Sequence, residues 1–311
     1  MTARAADVSP SVPSPSEEPS DQLAPGDLLR DTTLQADAAV PGRYRGSIAD
    51  AWRIRYAFGG VTMTAGLRAM QQRLDRPELS LVTANAIYCA PIPCGPITAD
   101  VTVLRSGRRA AQVACDLRVG DSEEIALRTH GVFGIAHESS QSFVDCEFPS
   151  DVAMPDACPP PPPRSADDPW PQINFHEQTD WRPAIPRHWE QAPDAWEPGP
   201  ARFAAWTRLH VEPRLADGSY DPIALAVPAD SIGGAIGAKL GPSSERWMSL
   251  SLEIGLRIIQ PPRTRPAWIL QEMRCWQAGD GYATGPTHLW DTDGNLLAIA
   301  QQTAQLRRMT L

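Results

Sequence analysis

Two features of this chain have residue types and spacing that could do chemistry. The first is the glycine pair Gly59-Gly60, placed where an amphipathic segment begins, with Met63, Leu67, Met70 and Leu74 recurring at helical spacing. A helix leaves its first backbone N–H groups without internal partners. The amides of Gly59, Gly60 and Val61 could therefore hold an anion or a developing oxyanion, and glycine lets a reacting group approach the backbone closely. The second is Asp230, read as opening a helix over about 228–239 that contains Gly233, Gly234 and Gly237. An aspartate there is commonly an N-cap.

Other chemistries find little support. His130, His137, His176, His188, His210 and His288 form no HxxxH or HxE group and read as structural. The six cysteines, Cys89, Cys94, Cys115, Cys146, Cys158 and Cys275, form no CxxC pair and are expected to be free thiols. No metal or cofactor is expected. The chain has no GxSxG, which argues against a nucleophile-elbow hydrolase, and no GxGxxG after a strand, which argues against dinucleotide use. Arg105, Arg108 and Arg109 read as a solvated hairpin turn, with contact to phosphates as their other possible use.

The 311 residues suffice for about two domains. A net charge of −9 argues against a nucleic-acid partner and gives no long-range attraction to an anionic membrane. The N-terminus lacks a charged segment followed by an apolar one, and no apolar run reads as long enough to span a bilayer. The expectation is a cytoplasmic protein without membrane insertion.

What must position the glycine pair and the aspartate is a unit used twice. The first copy runs from a strand-like entry (44–56) through the helix at about 61–73. A strand ending in YCAPIP follows, then alternating strands over 97–134 with turns at Ser106-Gly107 and Gly120-Asp121. The second copy repeats the order: a strand at 202–211, the helix with Asp230, a strand ending in RIIQPP, then paired strands to Arg307 with turns at 279–281 and 293–294. Each copy reads as a helix wrapped in an antiparallel sheet. Two such sheets can join edge to edge, which removes exposed edges. Residues 1–26 read as a disordered tail. The stretch 148–200 reads as a Pro/Trp-rich linker that packs partly on the body and cannot build sheet, because proline lacks the backbone donor.

In combination, these motifs resemble the double hot-dog thioesterases of the acyl-CoA thioesterase II type. The residues that carry the likeness are FGG at 58–60, P-x-P-x-G at 91–95 and VLRSGRRAAQVACDL at 103–117. In the second copy they are PAD at 228–230, WMSLSL at 247–252, PP at 261–262, GY at 281–282 and LWDTDGNLLAIAQQTAQLR at 289–307. The resemblance covers about 28–136 and 200–308. It implies an α+β fold of two tandem hot-dog units, 27–147 and 201–311, in one continuous sheet. It also implies hydrolysis of an acyl-CoA to free acid and CoA, as in lipid metabolism, and homo-oligomerisation.

By resemblance the attacking water is held by Asp230, by a strand hydroxyl matched to Ser249 with Ser251 as the alternative, and by Gln302 with Gln301 as the register alternative. The chain departs from the family pattern at Val61, where Gln is frequent, and at Glu253. Two other readings stay open: a catalytically weakened hot-dog protein that binds an acyl thioester, and a hot-dog hydratase or dehydratase. The latter needs an Asp–His dyad, and no histidine lies within helical reach of Asp230.

Overall fold

A computed structural model describes residues 25–135, 143–161, 173–185, 198–241 and 247–308. The first unit contains α1 (Leu28–Thr32), β1 (Gln35–Ala36), β2 (Arg43–Ile48), α2 (Gly59–Leu74), β3 (Ser80–Tyr88), β4 (Gly95–Ser106), β5 (Ala110–Val119) and β6 (Leu127–Gly134). The second contains β7 (Thr179–Ile185), β8 (Arg202–Leu209), α3 (Ala226–Ala229), α4 (Gly233–Leu240), β9 (Trp247–Ile258), β10 (Ile269–Arg274), β11 (Gln277–Gly279), β12 (Tyr282–Trp290) and β13 (Leu296–Arg308).

Among the described residues all strands belong to one sheet, in the order β1-β2-β4-β5-β6-β3-β9-β13-β12-β10-β8-β7, with the short β11 paired to β12. Read outward from the centre, the halves run β3-β6-β5-β4-β2-β1 and β9-β13-β12-β10-β8-β7. They are two copies of one topology, joined where β3 pairs antiparallel with β9 from Thr83↔Arg257 to Ile87↔Glu253. Even the irregularities repeat. Val82 bulges out of β3 against β6, and Leu252 bulges out of β9 against β13.

The strands form because their apolar residues alternate. In β5, Ala111, Val113, Cys115 and Leu117 are buried under α2, while Gln112, Asp116 and Arg118 face outward. On that outer face Asp116 pairs with Arg128 and Asp100 with Arg43. Every residue of α2 from Gly60 to Met70 is buried, as befits a helix enclosed by a curved sheet.

Four expectations need correcting. The entry strand of the first copy ends at Ile48 rather than reaching residue 56. The second central helix is not continuous from residue 228: a 3-10 turn (Pro222–Leu225) and α3 lead to a break at Asp230, where φ is −94° and ψ 76°, and α4 restarts at Gly233. Asp230 thus ends one short helix rather than opening the next. An apolar run long enough to cross a bilayer does exist, at Pro222–Leu240, and 67% of it is buried inside the fold. Finally, the Pro/Trp-rich stretch does build sheet. β7 pairs with β8, and Pro183 is accommodated because β7 lies at the sheet edge, where a missing donor leaves no ladder partner unpaired. Residues 1–24 of the predicted tail lie outside the described residues. Gly26, at its end, donates its amide to Gln178 Oε1 at 2.7 Å.

Candidate active site

The break at Asp230 creates the site. An unbroken helix would use the amides of Ser231 and Ile232 internally. Here both donate to Gln302 Oε1, at 3.2 and 2.9 Å. That fixes the orientation of the Gln302 amide, because its oxygen must face those two donors. Its nitrogen then donates to Asp230 Oδ1 at 2.6 Å and to Ser251 Oγ at 2.8 Å. Ser251 Oγ in turn donates to Asp230 Oδ1 at 2.7 Å. The side chain of Gln302, 3% exposed, has all four of its hydrogen-bonding positions used.

The other carboxylate oxygen, Asp230 Oδ2, accepts from the Gly60 amide at 3.0 Å, across the boundary between units. Asp230 therefore caps the N-terminus of α2 rather than its own helix. The positive end of α2 favours the negative charge. Both glycines are needed for this approach. A Cβ on Gly60 would lie 2.6 Å from Ala226 O and 2.7 Å from Val227 Cα, and one on Gly59 would collide with Asp230 Oδ2. Burial raises the Asp230 carboxyl above the ordinary carboxylate range, and the hydrogen bonds from Ser251, Gln302 and Gly60 oppose that rise. Tyr88, whose hydroxyl donates to Gly59 O at 2.9 Å, is pushed well above the usual tyrosine value by its own burial.

This network lines a cavity of about 810 Å³. β3 and β9 part company after Ile87↔Glu253, so residues 248–252 have no strand beside them on that side, and consecutive residues of β9 face the cavity. Phe58, Tyr88 and Phe203 supply apolar walls. The Pro/Trp-rich stretch supplies another, with Phe175, His176 and Trp181. Phe175 is clamped to the first unit by its amide, which donates to Arg53 O at 3.0 Å, and by a ring contact with Phe58 at 4.2 Å. Trp181 stacks on Phe203 of the second unit at 5.7 Å.

Of the residues expected in the site, Asp230, Gln302, Gly59 and Gly60 are brought together. Ser249 is not hydrogen-bonded to Asp230; Ser251, the alternative, takes that place. The bulge at Leu252 returns both serines to the face that bears Ile254 and Gln302, and Ser251 is one pleat nearer Asp230 than Ser249, which lies over Gly233. Gln301 is exposed on the opposite face from Gln302. Val61 lines no oxyanion position, since its amide donates to Phe58 O at 3.0 Å within the first helical turn. Gly60's amide is committed to Asp230, and Gly59, beside it at the start of α2, lines the cavity. Glu253 is exposed and accepts from Asn85 at 2.8 Å across the central strand junction. The 105–109 hairpin does not line the cavity. No group of metal-ligating side chains occurs among the described residues.

The first unit has no counterpart to this network. The duplicated register puts Leu81 where the second unit has Ser251, and Gly131 where it has Gln302. That place is filled by Phe133, Met70 and Leu81 around Gly131. Sequence reasoning missed Tyr88, Phe175 and Trp181 as wall residues. The only available signal was the unusual tryptophan content of a proline-rich stretch.

A family model described as the acyl-CoA thioesterase C-terminal domain matches residues 155–306, and one described as the acyl-CoA thioesterase N-terminal domain matches residues 48–134. No curated protein matches the chain. Among solved structures, a hot-dog protein of unknown function from Alicyclobacillus acidocaldarius is similar with a TM-score of 0.72 at 20% identity, covering 91% of this chain and 98% of that one. Acyl-CoA thioesterase II TesB2 from Mycobacterium marinum is similar with a TM-score of 0.69 at 20% identity, covering 91% of this chain and 99% of that one. The fold is a double hot-dog.

Proposed function

Because this chain belongs to the acyl-CoA thioesterase family, we propose that it hydrolyses an acyl-CoA to free acid and CoA with water activated at Asp230. The observation that carries this reading is the Asp230 carboxylate, held by Gln302, Ser251 and the Gly60 amide, in the wall of an 810 Å³ cavity lined largely by apolar residues. A water entering this cluster exchanges the direct contacts for its own. Gln302 and Ser251 orient it, and the carboxylate accepts its proton as the oxygen attacks the thioester carbon. The amide of Gly59, at the positive end of α2, faces the developing oxyanion. Collapse of the tetrahedral intermediate expels the CoA thiolate, which takes up the proton held by Asp230. The apolar walls hold the acyl chain. The steps require neither a metal nor a covalent enzyme intermediate.

The test is thiol release from acyl-CoAs ranging from acetyl to stearoyl. The wild type should hydrolyse at least one, and Asp230→Asn should lose about 100-fold or more, as expected for a removed general base. Absence of thiol release across the panel would favour the weakened, binding-only reading. A hydratase reading draws on one observation, His176 in the same cavity wall, although Asp230's hydrogen bonds go to Gly60, Ser251 and Gln302. Hydration of enoyl-CoAs that is lost in His176→Ala would favour it.

A further inference from the structure

The central helices of the two units pack antiparallel, and two buried polar contacts pin them, one at each end. At one end Gly60 meets Asp230. Eight residues along α2, about 12 Å at the helical rise, the Arg68 guanidinium pairs with the Asp221 carboxylate. Asp221 opens the 3-10 turn that leads through α3 to Asp230. Its Oδ1 accepts from the Ile223 amide at 3.1 Å. The 221–230 run is thus tied to α2 by a polar contact at each of its ends, with Gly60 pressed against the backbone of Ala226 and Val227.

The second contact sits in an expensive place. The Arg68 and Asp221 side chains are 7% and 0% exposed. Arg68 Nε is buried with no hydrogen-bond partner, and Nη1 reaches only Gln71 Oε1, at 3.4 Å. A buried ion pair is rarely more stabilising than well-packed apolar residues of the same size. Stability alone therefore gives little reason for an arginine here. What the pair supplies is a fixed relative placement of two helices, because a directional contact resists sliding where an apolar one does not.

We propose that Arg68 and Asp221 are positioning residues whose ion pair sets the placement of α2 against the 222–229 run and so holds the Asp230 carboxylate on the Gly60 amide. The kinetic part of this inference rests on the hydrolase reading; the structural part does not. Around Asp230 pack α2 with Gly60, β3 with Tyr88, β9 with Ser251 and β13 with Gln302. Tyr88 is the one other titratable group among these, and its burial places it far above the range of a carboxylate. Beside the ion pair lie Gln71 and Tyr220, the latter near Glu212 and Arg214, with its hydroxyl raised by burial.

The test compares wild type with the double variant R68M/D221N, which removes both charges and keeps an acceptor for the Ile223 amide. Carbon-13 labelling of aspartate reports the Asp230 titration directly, with Asp230→Asn identifying the signal. If the pair positions the site, the Gly60 amide withdraws in the double variant and the Asp230 midpoint moves to higher pH. The kcat falls by about 10- to 100-fold, the scale of an ångström-level misplacement, while KM stays within about threefold. Arg68→Lys, which keeps the charge, retains more of kcat than Arg68→Met. A folded double variant with an unmoved Asp230 midpoint overturns the proposal. If that double variant does not fold, R68L/D221N, which likewise leaves no unpaired buried charge, is titrated, and an unmoved midpoint there overturns it equally. Should wild type hydrolyse no acyl-CoA, the hydrolase reading fails, while the Asp230 titrations still decide the positioning role.

Discussion

Replacing Gln302 by glutamate changes one NH2 group to oxygen and should abolish turnover at neutral pH for a calculable reason. The Gln302 nitrogen lies 2.6 Å from Asp230 Oδ1. With a carboxylate oxygen in its place, two like charges at that separation repel by about 6 kcal/mol at an effective dielectric of 20. That corresponds to roughly four to five pKa units, so the pair must hold one proton at neutral pH and titrate as a coupled unit. Each carboxylate keeps two donors, the amides of Ser231 and Ile232 for the introduced group and the Gly60 amide and Ser251 hydroxyl for Asp230. The one proton is then shared between the two facing oxygens, so Asp230 no longer offers a free base at neutral pH. Initial rates of thiol release should drop at neutral pH by about 10²- to 10⁴-fold, the usual worth of a general base. They should recover with rising pH, with a midpoint several units above the wild-type acid limb. Gln302→Ala should lose rate without such a displacement. A Gln302→Glu enzyme with the wild-type rate and profile at neutral pH would show that this amide does not face Asp230 during catalysis.

Three further outcomes are expected. Because burial favours the neutral form of Asp230 and the base must be ionised, kcat/KM of the wild type should fall as pH falls through a midpoint above the ordinary carboxylate range; a midpoint at or below that range contradicts the assignment. Ser251→Ala should lower kcat by about tenfold or more, the worth of a hydrogen bond to a charged group, while Ser249→Ala stays within about twofold of wild type; the reverse ranking would place the other serine in the site. Gly60→Ala should destabilise by about 1–3 kcal/mol, read as a lowered denaturant midpoint at unchanged slope, since the added methyl meets the Ala226 and Val227 backbone rather than a movable side chain.

Much of the architecture was legible in the sequence because it rests on local periodicity. The alternation in β5 and the helical spacing from Met63 to Leu74 each report which face is buried, and their repetition in the second half reports a duplicated unit. Asp230, Gln302 and the glycine pair were legible through a family likeness, but the partner of each was not. Two devices hid the true arrangement of the serines and the helix. A single bulged residue reverses the face of everything before it in a strand, and alternation alone cannot reveal where the bulge falls. The break at Asp230 depends on Gln302 being present to receive two freed amides from 70 or more residues away.

The order of residues, then, determined the two units, their order of strands and the chemical types available to a site. Tertiary structure decided that Asp230 caps the helix of the other unit, that Ser251 rather than Ser249 reaches it, and that a proline-rich stretch walls the cavity through Phe175 and Trp181. The division has one physical cause. Periodicity is a property of neighbours a few positions apart, whereas a buried carboxylate is satisfied only by donors that the whole fold delivers from distant parts of the chain.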